Sequence, residues 1–330
     1  MKRPIPPSER GAALLAVLVL VVIMAAIAAG AFERLRLSTA MAINGAALDQ
    51  ARGYALGVED LLALRIDDLA GEDAYVTTLA GDWNGTARNI PLPGEGLAVG
   101  TVRDGGNCFN LNSLVQGEVA TTLIQRPAAI EQFVALMTVL GLPEPTARRI
   151  AAATADWVDS DDQPSPQGAE DGAYAGSDPA YRTGNTLLAD PSELRAVAGV
   201  TPEIYEELRP YVCALPTSDM SPINVNTLLP RDAPLLSMFA PNKARPDRVR
   251  GLISSRPQTG WRNTYDFWRS AEQAGLETSA DPMSQLQLKT LWFTIDLSVR
   301  FQDAEMEEWA LVDARLAPAK VVARRWGGGE

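Results

Sequence analysis

Residues 11–32 of the chain read GAALLAVLVLVVIMAAIAAGAF, an apolar run without a charged side chain. About twenty apolar residues in a helix cross the hydrocarbon core of a bilayer. Basic residues precede the run, which is typical of the cytoplasmic end of a membrane segment. The run is also long for the apolar part of a cleaved secretory signal. The sequence therefore predicts a single-pass membrane helix whose N-terminus is cytoplasmic.

The helical pattern continues beyond the membrane segment. From Leu35 to Leu69, apolar residues recur at steps of three and four positions, and no proline interrupts them. One long helix is therefore expected to run from the membrane into a soluble domain. Such an architecture suits a subunit of an assembly better than a free enzyme.

The composition excludes several classes of function. The net charge of −12 argues against nucleic acid as a partner, because phosphate binding needs a basic surface. The chain contains no histidine, which removes Ser/His/Asp and Cys/His catalysis and every His-ligated metal site. Its two cysteines, Cys108 and Cys213, form no CxxC motif. In an exported chain they favour one disulfide over two free thiols, and we expect this bridge to tie two subdomains together.

Two kinds of pattern follow the long helix. Strands are predicted at 97–103, 108–111, 293–301, 308–316 and 320–326. Short helices are predicted at 128–140, at 147–157, from Pro191 to a stop at Gly199, and after Thr201, Thr264 and Asp281. Because the late strands need partners, we expect the early strands to pair with them. The helical block then becomes an insertion in an α+β domain.

Residues 156–171 read DWVDSDDQPSPQGAED, the one candidate metal site in the sequence. Asp159, Asp161 and Glu170 occupy positions one, three and twelve of an EF-hand-like spacing, and Gln163 occupies position five. Pro164 stands where an EF-hand has glycine, which argues against a regular EF-hand. The residues alone leave a looser calcium loop and a solvated acidic loop equally open. A catalytic carboxylate pair is disfavoured, since these acids lie in one flexible segment without an aromatic sugar platform.

Two segments, FNLN at 109–112 and INVNT at 223–227, alternate apolar residues with asparagine. Asparagine side chains in such segments bond neighbouring backbone, which predicts structural turns. The second segment also resembles helix-hairpin-helix DNA-binding modules, because basic residues follow it. The hairpin near Gly199 has one glycine where such modules usually have two, and acidic residues follow. A membrane-anchored helix-hairpin-helix DNA-binding protein is therefore the alternative function, and a membrane-tethered hydrolase is a weaker one.

Taken together, the motifs resemble one family: the minor pseudopilins of the K type (GspK family) in bacterial type II secretion. The motifs that carry the resemblance are ERGAALL at 9–15, CFNLN at 108–112, DWVD at 156–159, GAED at 168–171, SELR at 192–195, VCALP at 212–216 and INVNT at 223–227. Most pilin-like proteins have Glu at the fifth mature position, where this chain has Ala16. The K subunit typically lacks that acid, so Ala16 favours the assignment.

The resemblance implies an α+β, pilin-like fold with a long N-terminal hydrophobic helix and an antiparallel sheet, interrupted by a large all-α inserted domain. The implied N-terminal part consists of a prepilin leader at 1–11, a helix at 12–70 with its transmembrane part at 12–32, and a first pilin-like part at 71–114. An inserted helical domain follows at 115–288, and it holds the acidic loop 156–171 and the helix-hairpin-helix-like segments. The chain ends with pilin-like strands at 289–326 and a tail at 327–330 that is expected to be disordered.

The resemblance also implies the sites and partners. Prepilin peptidase would cut after Gly11, so that the mature chain starts at Ala12. Calcium is favoured over a solvated loop, as a structural ion. The candidate ligands are Asp159, Asp161, Gln163, Glu170 and Asp171, and the candidate disulfide joins Cys108 to Cys213. The implied function is that of a non-enzymatic tip subunit of the pseudopilus, anchored in the inner membrane with its bulk in the periplasm. Implied partners are the I and J minor pseudopilins, prepilin peptidase, the inner-membrane secretion platform and the secreted cargo, with no nucleic acid.

Overall fold

The fold is known from a computed structural model, which describes residues 7–118, 122–276, 280–315 and 317–327. Its α-helices are α1 (Pro7–Gly71), α2 (Pro127–Val139), α3 (Glu144–Val158), α4 (Asp171–Tyr174), α5 (Pro202–Leu208), α6 (Ala233–Ser237), α7 (Pro246–Ser254), α8 (Thr264–Gln273) and α9 (Ala280–Gln285). Its strands are β1 (Ala87–Leu92), β2 (Gly96–Asp104), β3 (Phe109–Asn110), β4 (Val115–Glu118), β5 (Thr122–Gln125), β6 (Val212–Cys213), β7 (Ile223–Asn224), β8 (Leu286–Gln287), β9 (Trp292–Phe301), β10 (Ala304–Asp313) and β11 (Lys320–Trp326). Short 3-10 helices lie at Leu111–Leu114, Pro191–Ala196, Arg209–Tyr211 and Pro230–Asp232.

Helix α1 changes its surroundings along its length. From Ala12 to Ala46 every residue is exposed, and an 18-residue window there has a mean hydropathy of 3.1. The helix is therefore long and apolar enough to cross a membrane, as expected. The second half buries one stripe at steps of four and three: Ala47, Ala51, Ala55, Val58, Leu62, Ile66 and Leu69. This spacing keeps one helix face on the core.

A five-stranded antiparallel sheet packs against this stripe. Its strand order is β1-β2-β9-β10-β11, so the early strand β2 pairs with the late strand β9, as expected. Strand β9 sends Phe293, Ile295, Leu297 and Val299 into the core beneath α1. At Gly100 the helix comes so close that a Cβ atom would lie 2.8 Å from Leu62 Cδ1. The sheet and the helix form the pilin-like part of the α+β fold.

A helical domain with its own core is inserted between β2 and β9. Helices α2 and α3 pack together, and the rings of Phe109 and Phe133 stack with their centroids 4.9 Å apart. The core already includes Phe109, Leu111 and Leu114. Packing therefore supports a boundary near residue 107 rather than at 115, and we propose that division.

The two asparagine motifs hold this domain together, as the sequence predicts. Asn110 and Asn112 are fully buried, and so are Asn224 and Asn226. The Asn110 Nδ2 group donates to two backbone carbonyls 2.9 and 3.0 Å away, while its Oδ1 accepts from the Asn112 and Leu215 amides. Each buried amide thus replaces the backbone partners that a regular strand would supply.

Several predicted elements differ from the structure. The segment 108–111 is extended only at Phe109–Asn110, and it pairs with β6 instead of the main sheet, because the next residues turn into a 3-10 helix. The helix from Pro191 is a 3-10 helix that ends at Ala196, even though Asp190 and Glu193 form the expected capping box. Strand β10 begins at Ala304, four residues before the predicted start.

The disulfide Cys108–Cys213 lies where the sheet leads into the helical domain. Cys213 belongs to strand β6 and does not end a helix, since the 3-10 turn Arg209–Tyr211 separates it from α5. Its side chain packs against Leu215, Trp292 and Leu311, which join the helical domain to β9 and β10. The bridge therefore stands at the junction of the two parts.

Candidate functional site

The acidic loop begins at the end of α3 and finishes at α4. Asp159 is the C-cap of α3, and Glu170 is the residue before α4. With Asp161, they bring three carboxylate oxygens within 4.8 Å of one another. Asp159 and Glu170 are only 2 % and 6 % exposed, whereas Asp161 faces solvent. The loop thus holds two buried acids and one exposed acid around one point.

The oxygens of this cluster fit a hard cation. Asp159 Oδ1, Glu170 Oε1 and Ser165 Oγ are buried without a hydrogen-bond partner. Buried polar atoms are normally paired, so unpaired oxygens that converge are a reason to expect a ligand. Carboxylate and hydroxyl oxygens are the donors that Ca²⁺ takes, and the part of the cluster that the structure describes offers no nitrogen or sulfur. The described cluster could therefore hold a metal ion.

The pKa values of the two buried acids also favour a bound cation. Burial raises the pKa of Asp159 to about 6, and the charges of Asp161 and Asp156 add to the shift against a hydrogen bond from Gln125. Burial likewise raises the pKa of Glu170 to about 7, opposed by a hydrogen bond from Thr183 and reinforced by the neighbouring acids. Each carboxylate is thus costly to ionise where it stands. A cation would remove that cost.

Two predicted ligands lie outside the cluster. Gln163 is exposed, and its backbone amide donates to Asp161 Oδ1 at 2.9 Å. Asp171 is held by Thr183, whose amide and hydroxyl both donate to Asp171 Oδ1 at 3.0 Å, and it lies 3.7 Å from the Arg182 guanidinium. The structure therefore brings together three of the five predicted ligands.

Asp156 and Gln125 support the cluster, although neither was predicted as a site residue. Gln125 Nε2 donates to Asp156 Oδ1 at 2.8 Å and to Asp159 Oδ2 at 2.7 Å. Asp156 accepts from the Ser165 amide, and a Cβ atom on Gly168 would lie 1.9 Å from Asp156 Oδ2. Asp156 opens the acidic motif and could have been found there. Gln125 comes from strand β5, and no local signal marks it.

A second notable surface is the outer face of α1, beyond the membrane segment. With 3.6 residues per turn, Gly53, Gly57 and Leu64 lie opposite the face that packs on the sheet. Nothing lies within 4 Å of a Cβ atom added at either glycine. Leu61 and Leu64 beside them are 59 % and 62 % exposed. The free side of the helix therefore carries two glycines and two exposed leucines, with the exposed Asp60 among them.

The predicted processing junction lies at the start of the same helix. Residues 1–6 lie outside the described part, so the predicted leader is described only from Pro7 onward. Gly11 and Ala12 are helical, and Ala12 is exposed.

Comparison with known proteins identifies the family. The family models described as "Type II secretion system (T2SS), protein K" match residues 107–217 and 223–289. The type II secretion system protein K of Pectobacterium carotovorum is 35 % identical over 324 residues, covering 97 % of each chain. The chain belongs to the type II secretion system protein K family. The protein K of Aeromonas hydrophila is 37 % identical over 326 residues, covering 97 % of this chain and 98 % of that one.

A solved structure agrees with this membership of the protein K family. The chain resembles a chain of the crystal structure of the GspK-GspI-GspJ complex from enterotoxigenic Escherichia coli, with a TM-score of 0.70 and 28 % identity. The match covers 85 % of this chain and 97 % of the other. The expected pilin-like fold with its helical insertion is confirmed, and so is the role of a minor pseudopilin in type II secretion.

The DNA-binding alternative finds no support in these relatives. The basic residues after INVNT also have structural uses. Arg256 is turned inward and donates to the carbonyls of Val225 and Leu228, and Arg250 pairs with Asp247 at 2.7 Å. Arg256 thus serves the packing of the helical domain, and Arg250 is paired with an acid of its own helix.

Proposed function

We propose that the chain is the non-enzymatic tip subunit of the type II secretion pseudopilus, where it initiates assembly with the I and J minor pseudopilins and supports export of folded proteins. The observation that carries this proposal is the likeness, over most of the chain, to a structure in which GspK, GspI and GspJ form a complex. The prepilin peptidase, the inner-membrane platform and the secreted cargo are proposed further partners. We place the chain in the inner membrane with its bulk in the periplasm.

The architecture suits a position at the end of a filament. The helical domain is inserted in the chain between β2 and β9, and we infer that this bulk would obstruct a subunit stacked above it. Ala16 supports the same position. A buried carboxylate at that point would be costly in the hydrocarbon without a partner amine from a subunit above, and a tip subunit has no such neighbour. We infer that alanine is the less costly residue at a tip.

The partner helices are proposed to pack along the exposed side of α1. Within the membrane, small residues at Ala25, Ala26, Ala28, Ala29 and Gly30 permit close helix approach. Outside it, Gly53 and Gly57 continue such a surface between exposed leucines. Glycine in a helix costs about 1 kcal/mol relative to alanine, and two on one free face are consistent with close packing there.

Bulky side chains on this face should break the complex without unfolding the chain. In the double substitution Gly53→Leu/Gly57→Leu, the Cβ atom of each new side chain has no atom of the chain within 4 Å, while the side chains would block a neighbouring helix. We expect at least a tenfold loss of I and J subunits that co-purify with the full chain, or about 1.4 kcal/mol of binding free energy.

The matched control is Gly53→Ala/Gly57→Ala, which raises helix propensity but adds only methyl groups. It should keep most of the complex. Full retention of partners by the leucine pair, with unchanged circular dichroism, would remove this face from the interface.

Processing gives an independent test of the pseudopilin class. When the full chain is expressed with a prepilin peptidase, its N-terminal mass should correspond to a start at Ala12, with a methylated amine. Without the peptidase, the leader should remain. A chain that kept Met1 in the presence of active peptidase would be a simple membrane anchor, and the tip proposal would fall with it.

We further propose that the acidic loop binds calcium as a structural ion. Asp159, Asp161 and Glu170 would ligate it directly, since their oxygens converge. Gln163 and Asp171 remain proposed ligands through water or after a local shift of the loop. The ion would neutralise the buried acids and fix the segment between α3 and α4.

A further inference from the structure

A group of three charged side chains, two of them buried, joins the long helix to the sheet in the pilin-like part of the fold. Glu59 lies on α1, Glu308 on β10 and Arg324 on β11. The side chains of the two glutamates are 2 % and 1 % exposed, and Arg324 is 35 % exposed. Nothing in the proposed assembly role uses these groups.

The arginine of this group donates its hydrogen bonds to only one of the two acids. Arg324 Nε donates to Glu59 Oε2 at 2.7 Å, and Nη2 donates to Glu59 Oε1, which makes a bidentate pair. Glu308 Oε1 lies 2.9 Å from Arg324 Nε, but neither oxygen of Glu308 accepts a hydrogen bond within the described part of the chain. Glu308 is therefore buried without a donor of its own.

Two buried carboxylates facing one guanidinium cannot both ionise cheaply. If both were charged, the cluster would carry a net negative charge out of contact with water, which costs free energy. Burial and the neighbouring Glu59 charge raise the pKa of Glu308 to about 7, against the attraction of Arg324. Burial also opposes the ionisation of Glu59, but hydrogen bonds donated by Arg324 and by the protonated form of Glu308 lower its pKa overall. The two acids are thus driven to different protonation states.

We propose that Glu59 and Glu308 share one proton, and that this proton fastens strands β10 and β11 to the N-terminal helix. When Glu308 carries the proton, its hydroxyl can donate to the Glu59 carboxylate, and every charge in the cluster is paired. Loss of the proton leaves two anions facing each other across the helix–sheet interface. The charged groups that act on Glu308 are Glu59 and Arg324, while Arg52 on the same helix lies over the Trp326 ring at 4.9 Å.

The direction in which stability changes with pH follows from the raised pKa of Glu308. In the unfolded chain this group titrates near 4.5, and in the folded chain near 7. The folded state therefore holds a proton that the unfolded state releases between these values, and stability falls as the pH rises through that window. The lowered pKa of Glu59 acts in the opposite direction, but only below its ordinary range near 4.5. Between pH 5.5 and 8, the change in stability that comes from this cluster is therefore due to the titration of Glu308.

Hydrogen exchange of the β11 backbone amides in the detergent-solubilised full chain tests the proposal. Saturating calcium is kept present throughout, so that the acidic loop does not contribute. After correction for intrinsic exchange rates, protection of Lys320–Trp326 should fall about tenfold or more between pH 5.5 and pH 8. In Glu308→Gln, the side-chain amide can donate to Glu59 at every pH, so protection at pH 8 should equal the protection at pH 5.5.

Two further variants make the test specific. Glu307→Gln removes an exposed acid from the neighbouring position of β10 and should keep the wild-type pH response. Glu59→Gln leaves Arg324 to Glu308 alone, so that Glu308 ionises in its ordinary range and the response between pH 5.5 and 8 should disappear. The proposal is overturned if wild-type protection is independent of pH, or if both glutamine variants at 59 and 308 keep the wild-type response.

Discussion

Loss of the Cys108–Cys213 bridge should lower the free energy of unfolding by about 4–5 kcal/mol. The two cysteines are 105 residues apart, and a cross-link that closes a loop of that size removes much of the conformational freedom of the unfolded chain. The bridge also fixes β3 beside β6 at the junction with the sheet. Urea unfolding of the full chain in detergent, for wild type and Cys108→Ala/Cys213→Ala, measures the difference.

Reduced wild-type protein is the natural control, because it keeps both sulfur atoms and loses only the bond. It should unfold at nearly the same urea concentration as the alanine pair. A difference below about 1 kcal/mol between oxidised and reduced protein would show that the junction is held by packing of Leu215, Trp292 and Leu311 rather than by the disulfide.

Removal of calcium should lower the melting temperature of the full chain by about 5–10 °C. At a hundredfold excess of ion over its Kd, binding to the folded state adds about 2.7 kcal/mol, and 1 kcal/mol moves the melting temperature of a protein of this size by about 2–4 °C. Magnesium should restore little of the loss, since it demands a tighter octahedral set of ligands. Thermal melts in chelator, calcium and magnesium measure all three states.

Asp159→Asn should abolish most of the calcium response while keeping the shape of the side chain. The chain offers a matched control in Asp178→Asn, which alters an exposed acid between α4 and the Pro191 helix, outside the described cluster. The control should respond to calcium like the wild type. Identical melts in chelator and in calcium would mean that the buried acids are protonated rather than metal-bound.

The sequence predicted those parts of the fold that repeat a simple period. The stripe of α1 and the alternation of β9 each bury one face, so pattern and burial agree. Strand β1 was missed because it lies at the sheet edge, is mostly exposed and contains Pro91, so it carries neither alternation nor a clear strand composition. Strands β3 and β6 were misjudged because two-residue pairings depend on the surrounding packing rather than on local sequence.

For the acidic loop too, the sequence predicts some of the contacts and not others. Spacing along the chain was enough to bring Asp159, Asp161 and Glu170 together, because all three lie in one short segment between two helices. It could not supply Gln125, which reaches the loop from a strand more than thirty residues earlier. It also could not show that Thr183 holds Asp171 aside, since that contact depends on how the chain returns after α4.

The pairing of β2 with β9 has a consequence for how the chain folds. The helical insertion between them has its own core, and once that core has closed it brings the ends of β2 and β9 within one strand spacing, about 4.8 Å. The pairing of β2 with β9 then has to close only a short gap, which lowers its entropic cost. Until β9 to β11 emerge, however, β2 and the apolar stripe of α1 lack their cover. A chain that stops before Trp292 should therefore aggregate even with a complete helical domain, because the last segment to be synthesised closes the first.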